Sequence, residues 1–173
     1  EDSLSRIATV SPLSVEEFKT VALQLLDALS CAHDQGIVHG SLNADCIRVK
    51  REGTKWNAKI TGYGSGFGQA GKDGEMDAYL CVPPEQWEQE PARRRSDVYS
   101  LGCILYRALA GRSPFDGKTL KEVRYKHINH DLRPLQQLAP HAPDWICGWV
   151  MSLIQAAPEK RPKREGVFLL SFW

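Results

Sequence analysis

The first clear hydrophobic periodicity starts just after Ser14. Phe18, Val21, Ala22, Leu25, Leu26, Leu29 and Ala32 recur at intervals of three and four, which places them on one wide apolar stripe of a helix. Ser14 and Glu17 ahead of the stripe have the spacing of a capping box, in which hydroxyl and carboxylate satisfy each other's free backbone amides. Gly36 is the expected stop. The apolar runs then shorten to Ile37-Val38, Ile47-Arg48-Val49 and Ala58-Lys59-Ile60, with a polar loop from Gly40 to Cys46 and a charged turn at Arg51-Glu52-Gly53. Two short alternating stretches around a turn predict a small β-hairpin.

Six glycines between Gly62 and Gly74 predict a flexible loop, closed by Pro83-Pro84-Glu85. Ser96-Asp97 then precedes a run from Val98 to Leu109 that is apolar nearly all round, the mark of a buried central helix ended by Gly111 and Pro114. Leu120 to Ile128 and Asp144 to Ile154 predict two shorter amphipathic helices, the second with Trp145, Ile146, Trp149, Val150 and Leu153 inward. A last helix is expected from about Lys163 to the end. There is no internal repeat and no low-complexity tract. The fold class is therefore mainly α with a minor hairpin, as one domain over residues 1–173.

Composition narrows the function classes. A chain of 173 residues can bury a sizeable core, and a net charge of +1 gives nothing to draw it to nucleic acid or an acidic bilayer. No apolar run approaches the roughly 18 to 20 residues of a membrane span. The start, Glu1-Asp2-Ser3-Leu4, lacks the basic and apolar regions of a signal peptide. A cytoplasmic protein is expected, with no membrane contact within this chain. The five cysteines, Cys31, Cys46, Cys81, Cys103 and Cys147, are odd in number and far apart, and read as buried free thiols. No CxxC exists, and no further ligands join His127 and His130, so no metal is expected.

Five blocks in order carry a resemblance. Gly36-Ile37-Val38-His39-Gly40-Ser41-Leu42-Asn43-Ala44-Asp45-Cys46-Ile47, Lys59-Ile60-Thr61-Gly62-Tyr63-Gly64, Val82-Pro83-Pro84-Glu85, Ser96 to Tyr106 with its exit Gly111-Arg112-Ser113-Pro114-Phe115, and Ala157-Pro158-Glu159-Lys160-Arg161-Pro162 together resemble the C-terminal lobe of a eukaryotic-type Ser/Thr protein kinase. The phrasing of the first helix and loop is nearest the bacterial members. The resemblance implies a catalytic loop over 37–49, an activation segment over 62–85 and a central helix over 97–110. It also implies an N-terminal lobe carrying a Gly-rich loop and a Lys for the nucleotide, which Glu1 to Leu13 is too short to be, so that lobe is expected to be absent.

Phosphoryl transfer needs a carboxylate to orient the acceptor hydroxyl, ligands for magnesium and a cradle for the phosphates. Against the family pattern H-R-D-L-x-x-x-N, the Asp position is Ser41, the Arg position Gly40, the phosphate-contacting Lys position Asn43 and the magnesium-binding Asn position Cys46. The D-F-G turn reads Gly62-Tyr63-Gly64, so its carboxylate is gone as well. Asp45 is the one carboxylate left nearby. The positions that hold the scaffold in relatives are kept: His39 beneath the loop, Asp97 on the central helix, and Glu85 with Arg161 as a buried ion pair.

Other readings explain less. Gly66-Phe67-Gly68-Gln69-Ala70-Gly71 fits G-x-G-x-x-G, but Lys72-Asp73-Gly74-Glu75 after it is not a helix start, so it reads as activation loop. A hydrolase built on Ser41 lacks the G-x-S-x-G elbow. Arg93-Arg94-Arg95 reads as a solvated basic run, and Trp87, Trp145, Trp149 and Trp173 as packing residues. The resulting expectation is a chain that is not an enzyme: an inactive kinase-like domain that binds no nucleotide or other cofactor and serves protein partners as a regulatory scaffold. The alternative is an atypical or weakly active Ser/Thr kinase whose N-terminal lobe supplies ATP binding. A third reading keeps nucleotide binding without transfer.

Overall fold

The computed structural model of the protein describes residues 2–64 and 76–163. Its elements in chain order are β1 (Asp2–Ser3), α1 (Leu4–Val10), α2 (Val15–Asp34), β2 (Ile47–Glu52), β3 (Lys55–Ile60), α3 (Pro84–Trp87), α4 (Arg94–Ala110), α5 (Leu120–Asn129), α6 (Leu135–Leu138) and α7 (Asp144–Leu153). Three single turns of 3-10 helix lie at Ala44–Cys46, Met76–Tyr79 and Pro158–Lys160. The domain is mainly helical, with a small sheet at one side.

The capping box forms as the sequence spells it. Ser14 Oγ accepts from the Glu17 amide at 3.3 Å, and Glu17 accepts from the Ser14 amide at 3.0 Å. The α2 stripe of Phe18, Val21, Ala22, Leu25, Leu26 and Leu29 is buried. Past Gln35 the amides of Gly36 and Ile37 bond back to the carbonyls of His33 and Ala32, which ends the helix and turns the chain toward the loop.

The hairpin is antiparallel, with Ile47 opposite Ile60 and Glu52 opposite Lys55. Gln24 of α2 ties it to the helices: its amide donates to the Trp56 carbonyl at 2.8 Å, and its side-chain oxygen accepts from the Ala58 amide at 2.6 Å. Two additions correct the sequence reading. A third strand, β1, pairs with β2 through Asp2 opposite Val49, making a three-stranded sheet of order β1-β2-β3. The first helix is α1, not α2. Leu4 and Ala8 of α1 are buried, and the Leu13 amide bonds the Ala108 carbonyl of α4 at 2.8 Å. Both elements are too short for periodicity to register.

α4 is the buried axis of the fold, with every residue from Ser96 to Tyr106 enclosed. α7 lies against it so closely that a Cβ added at Gly102 would stand 2.7 Å from Leu153 Cβ and 2.6 Å from Ile154 Cγ2. Cys81, Cys103 and Cys147 are buried thiols, whereas Cys46 is half-buried and Cys31 is exposed, against the expectation for that residue. Trp56 and Trp149 are buried. The expected helix after Lys163, Trp173 and the glycine-rich segment 65–75 lie outside the described residues.

Candidate functional site

The site is the loop between α2 and β2, and Asp97 organises it. Asp97 sits in the first turn of α4, where the helix's free amides favour a negative charge. Its side chain is buried, and all its bonds are accepted ones. Oδ2 takes the His39 amide and His33 Nε2, each at 2.8 Å, and Oδ1 takes the Gly40 amide at 2.8 Å. Two consecutive loop amides therefore hang from one carboxylate. His39 extends the hold: its Nε2 donates to the Thr61 carbonyl at 2.8 Å, which leaves Nδ1 free to accept from the Ser41 amide at 3.4 Å. Gln86 of α3 closes the far side by donating to the Gly40 carbonyl at 2.8 Å.

Gly40 and Gly62 both have left-handed backbone, at φ +79° and +83°. A Cβ at position 62 would lie 3.6 Å from Cys46 Sγ and 3.9 Å from the His39 ring. The two positions from which the family pattern ligates magnesium thus converge, but they offer one thiol and no side chain. Cys46 stays a thiol: burial pushes its pKa up, against the help of the Asn43 backbone. The Tyr63 ring covers His39 at 4.7 Å, and burial raises its phenol as well.

Asn43, at the Lys position, is buried and turned back into its own loop. Its Oδ1 accepts from the amides of Asp45 and Cys46 at 2.9 and 3.3 Å, and its Nδ2 donates to the Ser41 carbonyl at 3.3 Å. It caps the 3-10 turn rather than facing a phosphate. Asp45 is exposed on that turn and borders an open groove of about 620 Å³ with Asp77, Thr9 and Arg107. Arg107 Nη1 stands 3.4 Å from Asp77, and Nη2 donates to Thr9 Oγ1 at 2.9 Å.

Glu85 and Arg161 meet away from the loop, at 2.7 and 2.9 Å, with Ser96 Oγ donating to the same carboxylate at 2.9 Å. Burial alone would raise the Glu85 pKa, but the bonds and charge of Arg161 more than offset it and the net shift is downward. Sequence reasoning missed His33, Gln86 and Ser96. Only His33 carried a signal: it lies four residues beyond Leu29, a polar side chain on the apolar stripe of α2.

Known proteins match this sequence over most of its length. The sequence model of the protein kinase domain covers residues 1–168. Serine/threonine-protein kinase pkn2 of Myxococcus xanthus is 28% identical over 94% of this chain. CBL-interacting protein kinase 1 of Oryza sativa subsp. japonica is 32% identical over 94% of it. A probable serine/threonine-protein kinase PknB of Bifidobacterium longum is 30% identical over 81% of it. The chain spans 21%, 35% and 21% of the lengths of these three relatives.

These names overturn the expectation that the chain is not an enzyme, since its relatives are named as kinases. The error lay in the step from lost side chains to a lost reaction. Transfer through a loose transition state depends mainly on positioning and electrostatics, and an acid–base group adds about 10² to 10⁴-fold to that. A catalytic-loop backbone suspended from Asp97, a buried Glu85–Arg161 pair and a match over residues 1–168 lead to one assignment: the chain belongs to the protein kinase domain family.

Proposed function

We propose that this chain is the C-terminal lobe of a Ser/Thr protein kinase of atypical catalytic loop, in a parent protein that moves a phosphoryl group slowly from a nucleotide to a protein hydroxyl. The observation that carries this reading is the Asp97 carboxylate holding the His39 and Gly40 amides at 2.8 Å each. A backbone so held keeps an acceptor hydroxyl in place even though position 41 has no carboxylate, and placement is the larger part of catalysis for a loose transition state.

Ser41 offers a hydroxyl, which orients an acceptor by hydrogen bonding but takes no proton at neutral pH. Asp45 is the carboxylate nearest in the loop, exposed, with its amide fixed by Asn43 at 2.9 Å. In this reading Asp45 replaces part of the lost orienting function. Magnesium asks for oxygen ligands. Cys46 and Gly62 supply none, and the described residues contain no group of three or more His, Cys, Asp or Glu able to hold a metal. The residues do not fit the ion. In this reading the nucleotide's cradle comes from sequence outside this chain, and the partner of the site is the substrate protein.

The test is incorporation of label from γ-labelled ATP into a serine/threonine peptide library by the full-length parent. Expected is slow transfer, about 10² to 10⁴-fold below an ordinary kinase, lowered further by Asp45→Asn and abolished by Asp97→Asn. Incorporation no greater than that of the Asp97→Asn protein would overturn the reading.

A further inference from the structure

Along α4, Ser96, Ser100 and Cys103 stand at i, i+4 and i+7, within an arc of roughly 60° at 100° per residue. All three bond the stretch that leads into α3. Ser96 Oγ donates to the Glu85 carboxylate at 2.9 Å, and Ser100 Oγ donates to the Cys81 carbonyl at 2.8 Å. Cys103, one turn further on, donates its thiol proton to Cys81 Sγ. Both residues are enclosed, Cys81 at 5% and Cys103 at 1% exposure, and both are free thiols. The seam therefore ends in two reduced sulfurs in hydrogen-bond contact.

Sulfurs in that contact need only small side-chain turns to reach the roughly 2.05 Å of a disulfide. Their backbones are already held side by side through the Ser100 bond. The two sulfurs are not equivalent. Burial raises the Cys103 thiol well above its ordinary range, and the bond to Cys81 raises it further, so Cys103 keeps its proton. Cys81 follows the 3-10 turn Met76–Tyr79, which buries none of its residues. Its stretch therefore parts from α4 more readily than α4 itself opens, and Cys81 is the sulfur a small oxidant meets first. Cys46 is the other thiol near Cys81, but its Sγ is turned to the Ser41 carbonyl at 3.8 Å.

We infer that Cys81 and Cys103 form a reversible disulfide under hydrogen peroxide, a covalent staple between α4 and the stretch that leads into α3. Peroxide takes Cys81 to the sulfenic acid and leaves one water. The Cys103 sulfur then attacks the Cys81 sulfur, the S–O bond breaks, and the hydroxyl departs with the Cys103 proton as a second water. Two thiols thus lose two electrons in all, and one peroxide is reduced to two waters. A dithiol reductant reverses the step. The staple fixes the stretch that next carries Glu85, the partner of Arg161, and Gln86, which holds the Gly40 carbonyl. The inference does not rest on phosphoryl transfer, since its readouts are a peptide mass and a melting temperature.

The test treats the full-length parent with hydrogen peroxide at levels that oxidise the exposed Cys31. Remaining thiols are alkylated, and peptides are mapped by mass spectrometry without reduction. Expected is a joined pair carrying Cys81 and Cys103, lighter by two hydrogens than its separate peptides and parted by dithiothreitol. Cys46→Ser should leave this pair in place. Peroxide should also raise the melting temperature by roughly 5 °C, as closing a loop of about 20 residues does, and should not do so in Cys81→Ala. The mapping needs no variant, so it decides the matter even where Cys81→Ala folds poorly. Three results would overturn the inference: Cys81 and Cys103 recovered unjoined, Cys81 joined to Cys46, or a peroxide shift equal in wild type and Cys81→Ala.

Discussion

Arg161 is the substitution whose cost the structure specifies best. The residue is 2% exposed, and all five of its side-chain N–H donors are used. Nε donates to the Gln155 carbonyl at 2.8 Å. Nη1 donates to Glu85 at 2.7 Å and the Arg95 carbonyl at 2.8 Å, and Nη2 to Glu85 and the Ala156 carbonyl, both at 2.9 Å. The guanidinium also lies 4.7 Å over the Tyr99 ring. One side chain therefore joins α3, the first turns of α4 and the segment after α7. Arg161→Ala leaves a buried carboxylate with Ser96 as its remaining side-chain donor. Losing one partner of such a pair costs about 3 to 5 kcal/mol, a large part of the roughly 5 to 15 kcal/mol of a domain. The melting temperature should fall by roughly 10 °C or more. Urea denaturation followed by tryptophan fluorescence measures it. Glu85→Ala should cost a similar amount, and the double variant much less than the two together, because neither charge is then stranded. Because the folded carboxyl titrates below its unfolded value of about 4.3, its contribution is present above that pH and fades as acid is added. A loss under about 1 kcal/mol for Arg161→Ala, or strictly additive variants, would refute this account.

Two further outcomes follow from burial. Gly102→Ala should destabilise by roughly 1 to 3 kcal/mol, since its methyl enters the space held by Leu153 and Ile154 at under 3 Å and one helix must move; thermal melts of the variant measure this. His127, fully enclosed and 2.8 Å from the Tyr99 hydroxyl, is held neutral by burial, with its pKa lowered to about 3. Its ring protons should show no titration between pH 5 and 8 by NMR. Stability should begin to drop as pH falls below about 6.5, where the unfolded chain gains a proton that the folded one refuses.

The long elements were legible because their periods run for several turns. The α2 stripe begins at a capping box, and the run Val98 to Leu109 of α4, apolar nearly all round, marks a central helix. β1 and α1 were not, because two and seven residues give periodicity too little to work with. The loop's chemistry was legible in part. Ser41, Cys46 and Gly62 could be placed against a pattern, but their convergence depends on β3 returning the chain beside the loop, where the Thr61 amide meets the Cys46 carbonyl at 2.8 Å. The roles of Gln86 and Ser96 are set by contacts across 46 and 11 residues, which local pattern does not encode.

Asn43 shows why reading the site by subtraction misled. Counted against the family pattern, it is a lost lysine. In the fold it supplies three hydrogen bonds within the loop, two to amides that open the 3-10 turn and one to the Ser41 carbonyl. The substitution removes a charge that would meet a phosphate and adds a cap that stiffens the backbone presenting position 41. Asp97 fixes the same backbone from below through Gly40, and Gln86 from the side. On the proposed reading, a loop secured from three directions supplies the positioning part of catalysis, which a census of missing carboxylates does not count. In that reading the missing base and metal ligands slow the transfer, while Asp97, Asn43 and Gln86 keep the loop in shape.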